Sequence, residues 1–300
     1  MNKTVKAAAL TVAGGMLAFT LVAPVSAQAA SATEHRAAGA RVSVVGDGTA
    51  VHIDHATVHA GKISFKVSST NPFSNGEGGS SISLFQPKKG VTLSRVFADL
   101  REEFSGNPAT AAKGTRDIVR DVSLFGLADP IPGYPMVVTE NLRQGTYYLM
   151  DTAKWDGKGP PKLTRLFVKG HAKDGLLYGK VHVKTTSNDR FTAPSYWPHR
   201  GTYLFRNVSD TIHFMSIAPV KKGVTDKQIQ AFFDSGGQGA PPFALPDNPG
   251  GGNDVVSPGG TIAVAYNLPR GTYVLLCFIA DDATGMPHAV MGMHKVIHLT

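Results

Sequence analysis

The chain has 300 residues, a formal charge of +8, an apolar fraction of 42% and a single cysteine. One cysteine excludes an internal disulfide. The 30 Lys and Arg residues form no long basic run, which argues against a nucleic-acid surface. Abundant glycine (33) and proline (19) suit many short strands joined by turns.

Residues 1–30 read as a secretory signal peptide. Lys3 and Lys6 form the basic start, Ala7 to Val22 the apolar stretch, and Val25-Ser26-Ala27 and Ala27-Gln28-Ala29 the small-residue cleavage region. Cleavage between Ala27 and Ala32 puts the mature chain outside the cell. It leaves no membrane span, because no later segment approaches the roughly 20 apolar residues a span needs. The charge falls to +6 (8 − 2) once Lys3 and Lys6 are removed, a mild preference for anionic cell-surface polymers.

Short β-branched runs bounded by turn formers give strands at Val51–Val58 and Lys62–Val67. Thr92 to Phe104 carries Val96, Leu100 and Phe104 four apart and reads as a helix. Tyr147–Leu149 is an apolar strand entered from Gly-Thr-Tyr. Gly170 to Gly175 reads as a link. Further strands follow at Gly179–Lys184 and Gly201–Phe205, then a helix at Thr225–Phe233 with Ile229 and Phe233 four apart. Ser235 to Gly260, rich in Gly and Pro, reads as one long loop. Tyr273–Ile279 and Met293–Leu299 close the chain as strands.

Two landmarks recur. Asn141-Leu-Arg-Gln-Gly-Thr-Tyr147 returns as Asn267-Leu-Pro-Arg-Gly-Thr-Tyr273, an offset of 267 − 141 = 126. Lys88-Lys-Gly-Val-Thr92 returns as Lys221-Lys-Gly-Val-Thr225, an offset of 221 − 88 = 133. Landmarks in the same order at similar spacing imply a duplication, with units at 40–172 and 173–300. Regular short strands imply two all-β Greek-key sandwiches, each with a short helix.

The lone Cys277 begins the stretch CFIADDATGMPHAVMGM, which also carries His288 and Met293. His213 lies shortly after a strand ending in Asn207. A thiolate, two imidazoles and a thioether are the donor set of a mononuclear copper site with a weak axial methionine. A metal-free account also fits Cys277, since cysteine is often a plain core residue. It alternates with Leu275 and Tyr273 on one strand face.

The second unit resembles a cupredoxin, the Greek-key barrel of blue copper proteins. The resemblance is carried by Gly201-Thr-Tyr-Leu-Phe-Arg-Asn207, His213, Gly271-Thr-Tyr-Val-Leu-Leu-Cys277, His288 and Gly292-Met293. It implies one copper of type 1 held by His213, Cys277 and His288, with Met293 as the axial ligand and Met291 its rival. Pro287 would stiffen the ligand loop and Gly285 would let it turn. The first unit resembles the same fold without the ligands: the offsets put Ser80, Asp151, Lys162 and Phe167 at the four positions.

The resemblance implies extracellular electron transfer or copper handling with a redox partner. The alternative is a metal-free binding module at the cell surface. No His-x-His pair of the kind multicopper oxidases need is present, and no phosphate loop or nucleophile elbow. The histidines at 52, 55 and 59, and those at 294 and 298, read as strand-end or edge-strand residues.

Overall fold

The structure, a computed structural model, describes residues 40–74, 76–237 and 239–300. The expected signal segment, residues 1–30, lies outside the described residues. Strands dominate the first part of the chain: β1 (Ala40–Gly46), β2 (Val51–Ile53), β3 (Thr57–His59), β4 (Gly61–Ser69), β5 (Phe73–Ser74), β6 (Glu77–Gly78) and β7 (Ile82–Pro87). Two helices follow, α1 (Leu93–Glu103) and α2 (Pro108–Asp121), then β8 (Val122–Ala128), β9 (Met136–Leu142), β10 (Gly145–Asp151) and β11 (Thr164–Lys169). After residue 172 come β12 (Val181–Thr185), β13 (Phe191–Thr192), β14 (Tyr196–Trp197), β15 (Arg200–Asn207) and β16 (His213–Val220). The chain ends with α3 (Asp226–Asp234), β17 (Gly251–Val256), β18 (Thr261–Asn267), β19 (Gly271–Leu276) and β20 (His294–Leu299).

The strands form two large sheets and one small β5–β6 ribbon. One large sheet runs β13-β12-β15-β18-β9-β4-β1-β2, the other β14-β20-β19-β16-β17-β8-β7-β10-β11-β3. The all-β reading holds. Inward residues alternate with outward ones, as in β9 and β12, and the inward set from both sheets merges into one hydrophobic core. Val42 and Phe65 enter it from the first sheet, Leu84 and Leu149 from the second, and Phe205 and Ile297 from the later half of the chain. Burying such side chains contributes about 1.5–3 kcal/mol each.

The strands after residue 172 repeat the order of those before it, and the halves meet through equivalent strands. Val137 lies opposite Ala265 and Thr139 opposite Ala263, with Val138 facing Val264 at the centre. The central pair has the offset of the repeated landmark (264 − 138 = 126), so β9 and β18 are related by a local twofold. β8 and β17 join the second sheet in the same way. The repeated Gly-Thr-Tyr has a physical role: each tyrosine hydroxyl donates to a carbonyl four residues upstream. Tyr147 reaches Arg143 and Tyr273 reaches Pro269, both at 2.9 Å. These two hydrogen bonds fix the turns into β10 and β19.

Both expected helices form, and their sequence caps explain where they begin. Thr92 accepts from the Arg95 N–H, and Thr225 makes a capping box with Gln228. Four expectations need correction. Phe104 does not join Val96 and Leu100 in the core; it caps α1 and is exposed. The first half holds a second helix, α2, capped by Asn107 with Pro108 in its first turn. The expected loop 235–260 contains β17, which pairs with β16 and β8. The run 51–58 also bends at Asp54, sending β2 and β3 to different sheets.

Candidate metal centre

Four elements bring the centre together. Asn207 ends β15, fully buried, and its amide acts as a clamp. It donates to the carbonyls of Thr211 and Val256, both at 2.8 Å, and accepts from Thr185 Oγ1 and Ser209 Oγ, both at 2.7 Å. This fixes the turn that delivers His213 to the start of β16. The register of β16 against β17 slips between His213 and Met215, and an irregularity of that kind re-aims a side chain. On the other flank, Ser216 faces Leu276, so Cys277 emerges from β19 beside Met215 and His213.

The loop after Cys277 doubles back. Ala280 bridges to Pro287, the His288 N–H donates to the Ile279 carbonyl at 2.9 Å, and the Ala289 N–H donates to the Cys277 carbonyl at 2.6 Å. This folding returns His288 to Cys277 across ten intervening residues. Gly285 makes the turn at φ +71°, and a Cβ there would collide with the Pro108 carbonyl oxygen. Both the backbone angle and the close approach of α2 therefore require glycine.

The first half grips this loop. Glu103 accepts from the Ala280 N–H at 3.4 Å, Thr115 Oγ1 donates to the Ala280 carbonyl at 2.8 Å, and Arg116 donates to the Asp282 carbonyl. Sequence reasoning missed all three. Glu103 and Thr115 are buried, and their partners are backbone groups more than 160 residues away, which no local pattern encodes.

Three of the expected residues converge. Cys277 Sγ lies 3.7 Å from His213 Nδ1 and 3.8 Å from His288 Nδ1. All three side chains are fully buried, and their ligand atoms lie within 4.8 Å of one another. The backbone amides of Ile279 and Phe214 favour the thiolate form of the sulfur. Met293, fully buried in the same core, follows a turn in which its N–H donates to the His288 carbonyl at 2.8 Å. Met291 is 36% exposed and its sulfur accepts from Thr284 Oγ1, so it lies outside the cluster.

Burial sets the protonation. It pushes the Cys277 thiol up to about 12. Burial also pulls His213 down to about 3, helped by the neighbouring His288, and His288 down to about 4. At neutral pH the metal-free site thus holds one thiol and two neutral imidazoles. Two neutral imidazoles and a thiol that can surrender its proton to a cation are the ligand states a soft metal requires.

The other candidate histidines do not converge. His52, His55 and His59 sit on separate segments, with His52 and His55 beside Asp47 and Asp54. His294 is bonded to Asp226 and Gln230, and His298 packs on Tyr196. The acidic group Asp99, Glu102 and Asp117 is neutralised by Arg95 and Lys113. In the first half Ser80 and Asp151 are buried, whereas Lys162 and Phe167 are exposed. Among the described residues no helix is long and apolar enough to cross a membrane.

No protein-family model and no curated protein matches the chain. Solved structures similar to parts of it are cupredoxin-fold proteins. Auracyanin from Roseiflexus castenholzii shares 22% identity over 40% of this chain and 94% of its own, with a TM-score of 0.27. Copper nitrite reductase from Nitrosomonas europaea shares 11% over 87% of this chain and 94% of its own, at 0.22. The multicopper oxidase McoA from Aquifex aeolicus shares 10% over 87% and 65%, at 0.23. TM-scores this low define no shared geometry at the site.

Proposed function

We propose that the chain is a secreted protein of two cupredoxin-like units, 40–172 and 173–300. The second binds one mononuclear copper for extracellular electron transfer or copper handling. His213, Cys277 and His288 would hold the metal, with Met293 as the weak axial donor. The observation that supports this most is the fully buried trio in which both Nδ1 atoms face one sulfur.

The donor set fits the group. One thiolate and two imidazoles with a distant thioether suit a copper that alternates between two oxidation states. Bound there, copper supplies a one-electron redox couple. The chain's own residues do the rest. The two backbone amides favour the thiolate, the Asn207 clamp and the doubled-back loop hold the imidazoles, and burial excludes water. A buried, prearranged ligand set costs little reorganisation, which suits electron transfer or metal carriage. The partner would be a redox protein or a cell-surface polymer. The first unit, whose equivalent positions hold no such donors, supports the second.

The test is addition of Cu(II) to the mature protein with metal analysis and a visible spectrum. One copper per chain and an intense thiolate-to-copper band are expected. Cys277→Ser should abolish the band while the circular dichroism of the fold persists. A colourless wild type without tight copper would overturn the proposal and leave Cys277 as a core residue of a binding module.

A further inference from the structure

With both Nδ1 atoms directed at the sulfur, the Nε2 atoms of His213 and His288 face the opposite way. Both are fully buried, and neither has a partner in hydrogen-bonding geometry. The carboxylate of Asp189 approaches both: Oδ1 lies 3.4 Å from His213 Nε2 and 3.9 Å from His288 Nε2. Its side chain is only 15% exposed.

Asp189 is held there by its backbone. It belongs to the turn between β12 and β13, closed by Thr186 N–H to the Arg190 carbonyl and Asp189 N–H to the Thr186 carbonyl, both at 3.0 Å. Its φ of +53° is the one positive value at a non-glycine residue among the described residues. Such a conformation costs about 1–2 kcal/mol and persists where the surroundings or a function demand it.

We propose that Asp189 is a positioning residue that sets the tautomer of both histidines, drawing the single proton of each ring to Nε2. This deepens the copper reading and rests on it for its biological meaning. A neutral imidazole carries one proton, and the partner of one nitrogen decides which nitrogen holds it. Both separations exceed a hydrogen bond, so the carboxylate acts on the two N–H groups by its charge from a position between the rings. With the protons at Nε2, both Nδ1 lone pairs stay open towards Cys277, where the metal would sit. Without the carboxylate, a ring can place its proton on Nδ1 and close that position.

The experiment uses Asp189→Asn and Asp189→Gly, two residue types that tolerate the left-handed backbone. Imidazole nitrogen shifts, read by long-range proton–nitrogen NMR on the metal-free protein, report the tautomers directly. In the wild type both rings should be protonated at Nε2, and in the glycine variant at least one should gain Nδ1–H. Competition titration with Cu(II) should show an affinity loss of about 10–100-fold in the glycine variant and a smaller one in the asparagine variant. The proposal is overturned if both rings keep one tautomer in all three proteins, or if the wild-type rings carry Nδ1–H. Affinities within twofold of each other would overturn it as well. If the wild type takes up no copper, the copper reading fails separately, and the metal-free spectra still decide the role of Asp189.

Discussion

The two halves build the same cradle and fill it in opposite ways. In the first half Asp151 ends β10, where Cys277 follows β19. Its Oδ1 accepts from the N–H groups of Ser81 and Ala153, both at 3.1 Å, and its Oδ2 from the Gly48 N–H at 2.8 Å. Ser80 packs beside it, bonded to Ser69 at 2.8 Å, and a side chain on Gly46 would strike both Ser80 and Asp151. Every donor there has an acceptor. In the second half the corresponding space holds a thiol and two imidazoles, with two buried nitrogens unsatisfied. One cradle is finished by the chain itself. In the other, the two ring nitrogens on the side away from the sulfur have no hydrogen-bond partner, and the Asp189 carboxylate approaches both.

The sharpest way to break this comparison is Asp151→Ala, which strands the N–H groups of buried Gly48, of half-buried Ser81 and of Ala153 at up to about 1–3 kcal/mol each. A loss of about 4 kcal/mol is expected in chemical denaturation of the metal-free protein, against about 1 kcal/mol for Cys277→Ser. The reverse ranking would mean the second cradle is the structural one.

The next effect is on pH dependence. Burial raises the Glu103 carboxyl from 4.5 to about 7, opposed only in part by its bond from Ala280. The folded state therefore holds a proton that the unfolded state has released, and stability falls as pH rises from about 4.5 to 7. Glu103→Gln should remove roughly 3 kcal/mol of that fall, at 1.36 kcal/mol per pH unit. Parallel wild-type and variant curves of stability against pH would show that Glu103 is ionised in the fold.

The smallest effect sharpens the link between the halves. Thr115→Val keeps the shape of the side chain but removes the donor to Ala280. It should cost about 1 kcal/mol and speed amide exchange at Ile279 and His288 more than at Leu149. Uniform exchange changes would mean that α2 does not hold the loop.

Much of this was legible in the sequence. The donor residues stood out because their types and order suit one kind of chemistry. The duplicated Asn-Leu-x-x-Gly-Thr-Tyr stood out because a tyrosine turn needs those residues in fixed order. Thr92 and Thr225 marked two helix starts. Helix α2 was hidden because its inward face is built from Ala111, Ala112, Thr115 and Ile118, which carry little apolar signal. Strand β17 was hidden because Asn253 and Asp254 are buried polar residues flanked by glycines and a proline. Asp189 lies in Ser-Asn-Asp, a plain turn signal, and only its three-dimensional approach to the two rings sets it apart.

The edge-to-edge union of β9 with β18 has a consequence for any fragment of this protein. Cut near residue 172, each half would expose two rows of unpaired peptide groups, β8 and β9 or β17 and β18. Because β9 and β18 pair about a local twofold, a second copy of the same fragment offers either of them a replacement in matching register. The covalent join keeps adhesive borders from recruiting strangers.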